Sequence, residues 1–193
     1  TNAPALWNNV TFTVLDNAPS EVVGATFVTD FKKHLFFAKA DKLTFTAPYT
    51  DNDFTAASGA GSISVGGSVT GLMVFREQLI IFTETAIYQL SGNTIADFQL
   101  KPVTTDVGCV DTDTIQEVGG DVMFLGPDGL RLLSATDRIG DFGLAVVSKK
   151  IQNQMTELIT NNQSFASIVI RGKSQYRIFG YSANITKENA QGI

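Results

Sequence analysis

The chain of 193 residues is 44% hydrophobic and 17% charged, which excludes a disordered segment and suits one sizeable core or two small ones. Its net charge of −5 lacks the basic excess of a dedicated nucleic-acid binder. No apolar stretch reaches the roughly 20 residues that a membrane-spanning helix needs. The single cysteine, Cys109, excludes an internal disulfide framework.

Short apolar strings recur along the chain with a nearly constant spacing. They begin at Leu35, Leu79 and Val122, which are 44 and 43 residues apart, and each is followed by a polar turn and a second apolar string. An Asp-Phe pair recurs in the same register. The pairs, at intervals of 44 residues, are Asp53-Phe54, Asp97-Phe98 and Asp141-Phe142. A weaker fourth copy begins at Ile168.

A repeat of about 44 residues that is built of short strands is typical of β-propeller blades. A single sheet has two apolar faces, and only neighbouring sheets can bury both of them. The sequence therefore predicts a mostly β fold, with antiparallel propeller blades over approximately residues 24–67, 68–111, 112–145 and 160–185. The whole chain, 1–193, is then one propeller or, as its length of little more than four repeats favours, part of a larger ring.

One segment has helical rather than strand periodicity. Its apolar residues are Val147, Ile151, Met155, Leu158 and Ile159. The spacing predicts an amphipathic helix over approximately residues 146–160, inserted between the third and fourth copies. We expect its N-cap at Ser148 or slightly earlier, and its end at Asn161-Asn162.

The sequence offers few residues for catalysis. His34 is the only histidine, and the sequence offers no second partner for a catalytic triad or a histidine-based metal site, so we expect a strand or turn residue at a blade edge. Cys109 lies near Asp106 and Asp111, which disfavour a thiolate, so burial as a small apolar residue is expected. No catalytic residue, cofactor-binding residue or metal ligand is predicted, and no cofactor is expected.

The carboxylates of the Asp-Phe pairs are predicted to be structural. The segments Asp51-Asn52-Asp53 and Asp111-Thr112-Asp113 lack the glycine and the acidic residue that complete an EF-hand calcium loop. Because Asp53, Asp97 and Asp141 occupy the same position in each copy, we expect them to accept backbone N–H groups and fix a corner of the repeat.

Two glycine-rich stretches, residues 58–62 and 65–68, lack the Lys-Ser/Thr ending of a phosphate-binding loop. They indicate a flexible hairpin or a projecting loop, which is uncharged from Thr55 to Ser68. We expect this loop to contact a neighbouring chain. Its candidate interface residues are Ser58, Gly59, Gly61, Gly66 and Gly67.

Residues 73–92 and 108–131 resemble blades of bacteriophage tail proteins. The order of an apolar strand, a turn and a strand with an aromatic residue, followed by Gly108-Cys109, a Gly-Asp strand and Asp128-Gly129, is similar to the tail nozzle of short-tailed phages, also called tail tubular protein B. Related propellers occur in packaged-DNA stabilisation proteins. The resemblance spans roughly residues 70–155, and nozzle proteins are much longer than this chain.

The resemblance implies a non-enzymatic structural protein of the virion, located in the phage tail. It further implies a homo-oligomeric ring, six-fold in symmetry, that contacts other tail and portal-adaptor proteins and lets DNA pass through its lumen without specific binding. An acidic chain suits such a conduit, because basic residues would hold phosphates.

Two other functions stay open at this point. A carbohydrate-binding or glycan-acting propeller, such as a receptor-binding part of a virion, would use acidic residues at its hairpin turns, of which Asp41, Glu84 and Asp128 are examples. A eukaryotic interaction propeller would show recurrent Trp-Asp and Gly-His dipeptides, and this sequence has neither.

Overall fold

The structure, a computed structural model, describes residues 3–15, 18–138, 146–182 and 191–192. The chain forms two compact units. The first consists of Thr1–Glu84 and Tyr88–Pro102, and the second consists of Thr85–Ile87 and Val103–Ile193. Both are built mainly of antiparallel strands, which confirms the prediction of a mostly β fold.

The first unit begins with a short hairpin and continues with strands that follow one another in space as they do in sequence. The hairpin pairs β1 (Ala5–Trp7) with β2 (Phe12–Val14). The first sheet has the order β3 (Phe27–Phe31), β4 (His34–Lys39), β5 (Lys42–Phe45) and β6 (Gly61–Ser64). The second sheet has the order β7 (Val69–Phe75), β8 (Gln78–Thr83), β9 (Ile87–Ser91) and β10 (Gln99–Thr104).

The second unit continues the series of sheets and adds the helices. The third sheet has the order β11 (Gln116–Val118), β12 (Asp121–Gly126) and β13 (Gly129–Leu132). The helices are α1 (Leu133–Arg138) and α2 (Gln152–Asn161). The fourth sheet has the order β14 (Ser164–Ile170), β15 (Gln175–Tyr181) and β16 (Gln191–Gly192).

The repeat of the sequence coincides with tight turns in the first three sheets. In each of them, two residues with positive φ join the first strand to the second. The turn residues are Lys32 (47°), Lys33 (72°), Arg76 (47°), Glu77 (63°), Gly119 (60°) and Gly120 (80°). Positive φ at both central positions is the type I′ geometry, whose twist matches that of the flanking strands. Matching residues of successive turns are 44 and 43 positions apart, so the repeat is a repeat of hairpins.

The non-glycine residues in these turns yield a first prediction. Lys33→Gly should raise the free energy of unfolding by about 1 kcal/mol, because an L side chain in the left-handed region is strained and glycine is not. Gly120→Ala is the matched control at the same turn position of the third sheet. No atom lies within 4 Å of the added Cβ there, so stability should fall by about the same amount.

Chemical denaturation measures both variants. A loss of stability in Lys33→Gly would contradict the prediction. It would mean that the contact of the Lys33 ammonium with the Tyr49 ring, 4.6 Å from its centroid, outweighs the backbone strain.

The core of the first unit combines aromatic and aliphatic side chains in one cluster. Phe36 and Phe45 are fully buried with their ring centroids 4.9 Å apart, and they pack with Leu43, Leu79 and Ile81. Alternate residues of β4 and β5 face this core, and the residues between them, Phe37 and Thr44, are also buried, so both faces of these two strands are covered.

The core of the second unit forms where α2 covers a sheet. Met155 and Leu158 of α2 are buried against Leu125, Phe165 and Ile178. The helix is confirmed over part of its predicted span, 146–160. It begins at residue 152, after a 3-10 turn, and it ends at residue 161 as expected. No helix in the described part of the chain is long and apolar enough to cross a bilayer.

The predicted cap at Ser148 is wrong. Ser148 precedes the 3-10 turn Lys149–Ile151, and its side chain makes no capping hydrogen bond there. Its hydroxyl instead accepts a hydrogen bond from the backbone N–H of Leu130, at 3.1 Å. A buried backbone N–H at the start of β13 needs a partner, and this tertiary bond takes the oxygen that a cap would have used.

The stretch of residues 58–68, predicted to be a flexible hairpin or a projecting loop, contains a strand. Its middle part, Gly61–Ser64, is β6, and it pairs with β5 along four residues. Gly61 has to be glycine here, because an added Cβ would lie 2.9 Å from Cζ of Phe45 and 2.8 Å from Cδ1 of Ile95. The glycine therefore serves close approach between strands rather than flexibility.

Candidate functional site

The Asp-Phe pairs that the sequence marks as repeat corners lie in the connection between the third and fourth strands of the first two sheets. Asp53 accepts a hydrogen bond from the backbone N–H of Thr55, two residues ahead, at 2.8 Å. Asp97 accepts bonds from residues behind it, including the backbone N–H of Thr94 at 2.6 Å and that of Asn93 at 3.1 Å. The two carboxylates hold different turns, so they are not copies of one corner.

These hydrogen bonds also set the acidity of both groups. Bonds from the side chain and the backbone of Thr55 lower the pKa of Asp53, and bonds from those of Thr94 lower the pKa of Asp97. Both side chains therefore stay ionised and bonded at neutral pH. Asp141 and Phe142, the third pair, lie outside the described residues.

The aromatic residues of the two described pairs differ in their surroundings. The ring of Phe98 is stacked against Phe31 at 6.3 Å and makes edge contacts with His34, Phe36 and Phe45 at 5.5 to 5.8 Å. Phe54 approaches Phe37, at 5.9 Å between ring centroids. Phe98 thus packs against four aromatic rings of the core of the first unit.

His34 lies inside that aromatic core. It begins β4, as a strand residue, and only 2% of it is exposed. Its Nδ1 lies 2.6 Å from the carbonyl oxygen of Thr46, so Nδ1 carries the proton and donates it. Its Nε2 is buried without a hydrogen-bond partner, with the Phe45 ring edge-on at 5.4 Å. The hydrogen bond and the surrounding rings fix the imidazole in place within the core.

The loop that contains Gly108-Cys109 is an internal junction of the second unit. Asp111 accepts hydrogen bonds from the backbone N–H of Asp113 at 3.0 Å and from that of Phe165, in β14, at 2.9 Å. The carbonyl of Thr114 accepts a bond from the hydroxyl of Tyr176, in β15, at 2.8 Å. The local sequence marks Asp111 as part of an incomplete calcium loop and as an acidic neighbour of Cys109, but it does not reveal a partner 54 residues away.

Cys109 is buried, as the sequence predicts, and only 2% of it is exposed. Its thiol donates to the carbonyl oxygen of Asp111 at 3.3 Å. Burial raises the pKa of the Cys109 thiol from its ordinary value of 9.0 to about 11. The thiol is therefore protonated at neutral pH and is a poor nucleophile.

This burial leads to a second prediction. At pH 8 the folded protein should react with a thiol reagent about a hundredfold more slowly than the denatured chain, because a rise of two pKa units cuts the thiolate fraction about a hundredfold. Absorbance of a released chromophore measures both rates. Equal rates in the folded and denatured protein would contradict the burial of this thiol.

The same shift predicts a change of stability with pH. Below pH 9.0 the thiol is protonated in both the folded and the unfolded chain, so the folded state keeps its full stability. As the pH rises from 9.0 through about 11, the unfolded chain loses the thiol proton first, and the free energy of unfolding falls. Cys109→Ala, measured by denaturation across that window, should flatten the loss.

The hairpin between β12 and β13 holds the most buried charged side chain among the described residues. Only 1% of Arg131 is exposed, and its guanidinium donates to both carboxylate oxygens of Asp128, at 2.8 and 2.5 Å. Such a two-point bond fixes both side chains. Asp128, which the sequence considered as a possible glycosidic acid, is therefore engaged in an ion pair. The described residues contain no group of three or more His, Cys, Asp or Glu side chains that could hold a metal ion.

Among the described residues, the β1–β2 hairpin presents the most exposed cluster of apolar side chains. Trp7 and Phe12 face each other across the two strands, and they are 60% and 70% exposed. Val14 follows on the same side at 46%. Exposed apolar groups in this arrangement mark interaction surfaces in soluble proteins. The available signal in the sequence was the run of alternating apolar residues around the Asn8-Asn9 turn.

Together these features define a class: a β-rich protein of consecutive antiparallel sheets, whose loop carboxylates hold the sheets and whose N-terminal hairpin presents apolar groups. A scan against models of protein families gives no match to this chain, and a search of curated proteins finds no relative.

Proposed function

We propose that this chain is a structural component of a phage tail, built of propeller blades and assembled as a homo-oligomeric ring through which DNA is ejected. The resemblance to tail nozzle proteins covers the second and third sheets, and the ring, six-fold by that resemblance, contacts other tail and portal-adaptor proteins. The protein is located in the virion. It performs no catalysis in this proposal, and its lumen does not bind DNA specifically.

The observation that carries the proposal is how the polar residues of the resembling region are used. Asp97 holds the turn that precedes β10, Asp111 ties its loop to β14, and Asp128 pairs with the buried Arg131. Cys109 is buried and protonated. These four side chains are engaged in holding sheets and turns together, as a structural protein requires.

The sheets themselves support the blade architecture. The first two are meanders of consecutive strands within the predicted limits 24–67 and 68–111, and the turns of the first three sheets repeat in register. In a propeller each such sheet packs on the next and leaves a short outer edge. A larger ring of blades would be completed by neighbouring chains or by further blades.

Native mass spectrometry tests the ring directly. We expect a species that contains six copies of the 20.8-kDa chain, or a larger complex when other tail proteins are added. Electron microscopy of the same sample should show rings with an open centre. A chain that stays monomeric at every concentration, alone and with tail proteins, would refute the proposed assembly.

A second candidate function is recognition of a glycan. A cleft of about 450 Å³ in the second unit is lined by groups that hydrogen-bond sugars well, among them Glu117, Arg171, Ser174 and Gln175. Titration against a glycan panel tests it. Binding that is lost in Glu117→Gln, and retained in a variant outside the cleft, would favour this function over the structural one.

A further inference from the structure

The β1–β2 hairpin separates its side chains into an apolar face and a polar face. Trp7 pairs with Phe12 and Ala5 pairs with Val14, so these four residues share one face, while Thr13 lies on the other. All of β2 is exposed. Residues 1–15 carry no charged side chain. The exposed face is thus suited to an apolar, uncharged partner.

The backbone of β2 is also unpaired on its outer side. The N–H of Asn8 donates to the carbonyl of Thr11, and the N–H of Leu15 donates to the carbonyl of Pro4. These bonds frame the pairs in which Phe12 and Val14 take part, so both pairs are of the non-hydrogen-bonded kind. The N–H and C=O groups of Phe12 and Val14 therefore point away from β1, and no described strand pairs with them.

The outer edge of β6 has the same arrangement. The N–H of Val65 donates to the carbonyl of Asp41 at 2.9 Å, which makes the pair of Lys42 and Ser64 non-hydrogen-bonded. The backbone groups of Ser62 and Ser64 accordingly point outward, two residues apart. No described strand lies beyond β6 in its sheet.

β6 and β10 are edge strands of the first and second sheets, and they differ in their protection against pairing with another strand. β10 carries Lys101 and Pro102, which are the residue types that prevent unwanted strand pairing at an edge. β6, with the sequence Gly-Ser-Ile-Ser, has neither a charge nor a proline. An unprotected edge with exposed, small side chains is the kind to which another strand adds.

We propose that β2 of one copy of this chain adds to the β6 edge of a second copy as an antiparallel strand. Phe12 then pairs with Ser64 and Val14 with Ser62, which matches the spacing of outward backbone groups on both strands. The small serines leave room for the larger side chains opposite them. This inference deepens the ring assembly proposed above and rests on it.

The partner is a second copy because one chain offers both halves of the contact. The halves agree in the phase of their hydrogen bonds and in the absence of charge. A contact between two different surfaces of the same chain is head-to-tail, and it closes into a ring when the rotation between copies permits.

Ser62→Pro tests the edge without disturbing the sheet. The N–H of Ser62 points outward, so proline removes a hydrogen bond only from the contact between copies. We expect the dissociation constant of assembly to rise at least about tenfold, the effect of one lost hydrogen bond. Ser62→Ala is the matched control and should assemble as the wild type does. Circular dichroism confirms that all variants are folded.

Trp7→Ser combined with Phe12→Ser tests the hairpin. Phe12 lies opposite Ser64 of the second copy in the proposed pairing, and Trp7 lies beside Phe12 on β1. Loss of both rings should weaken assembly about tenfold or more. Thr13→Ala, on the opposite face of the hairpin, is its control and should leave assembly unchanged. Sedimentation velocity or native mass spectrometry measures each dissociation constant.

Mixing the two defective variants decides the geometry. The Ser62→Pro chain keeps an intact hairpin and the Trp7→Ser/Phe12→Ser chain keeps an intact edge, so a head-to-tail contact predicts a one-to-one heterodimer. If the hairpin variant assembles by itself through a contact that Ser62→Pro abolishes, β6 pairs with β6 and the inference is wrong.

Other outcomes separate this inference from the proposed function. Ser62→Pro that assembles as tightly as the wild type overturns the strand addition, while the ring proposal stands. A wild-type chain that never assembles, alone or with tail proteins, overturns both. Assembly only with another tail protein, abolished by the hairpin variant, overturns the inference by assigning the hairpin to a different partner.

Discussion

Gly92→Ala should lower the free energy of unfolding by about 3 kcal/mol or more, because both the backbone and the space around this residue require glycine. Its φ is +114°, which L side chains rarely adopt. An added Cβ would lie 2.5 Å from the carbonyl oxygen of Asp97 and 2.9 Å from the Cα of Phe98. These are backbone atoms, so no side chain can rotate away to relieve the clash.

The turn that Gly92 opens is also the one that Asp97 holds. Displacing the backbone of residues 97–98 would strain the hydrogen bonds from Asn93 and Thr94 to the Asp97 carboxylate. It would also move Phe98 out of the aromatic core. Chemical denaturation followed by circular dichroism measures the loss. Tryptophan fluorescence is a poor probe here, since Trp7, the only tryptophan, lies on the exposed hairpin.

Two glycine variants separate the causes of this loss. Gly119→Ala also has positive φ, at +60°, but nothing within 4 Å of its new Cβ, so it should cost only about 1 kcal/mol. Gly172→Ala has neither constraint and should change stability by less than about 0.5 kcal/mol. A loss in Gly92→Ala no larger than that in Gly119→Ala would show that the clash is relieved and would contradict the prediction.

The periodicity of the sequence predicted the β-rich fold because hydrophobic alternation and spacing are properties of the chain alone. It did not identify the turns that repeat most strictly. Lys32-Lys33 and Arg76-Glu77 hold positive φ without glycine, and only Gly119-Gly120 shows the usual composition of such a turn. In the first two sheets the pairing of the strands imposes a turn that the local residues do not favour.

The other predictions that differ from the structure share a physical cause. A local pattern allows several conformations, and contacts with residues distant in the sequence select one of them. Ser148 looks like a helix cap until the N–H of Leu130 takes its oxygen. The glycines at 59–67 look flexible until Phe45 requires Gly61 for strand pairing. The apolar residues of the N-terminal hairpin, such as Phe12, predict only that one face is apolar and not whether that face is covered within the chain.

Phe98→Ala should lower the free energy of unfolding by about 3 kcal/mol, whereas Phe54→Ala should lower it by only about 1 kcal/mol. The two residues occupy the same place in the sequence repeat and both are half-buried. Phe98 contacts several rings, including Phe36 at 5.8 Å and Phe45 at 5.5 Å. Its removal would leave a cavity next to fully buried side chains, and their packing would be lost with it.

The surroundings of Phe54 explain the smaller loss. Its ring lies beside a single ring among the described residues, that of Phe37, whose centroid is 5.9 Å away. Phe98 contacts four rings, so its removal takes away more packing. Denaturation curves of both variants, with Phe98→Leu and Phe54→Leu as volume-sparing controls, measure the difference. Equal losses in the free energy of unfolding would contradict the prediction, because they would mean that the number of ring contacts does not determine how much each phenylalanine stabilises its sheet.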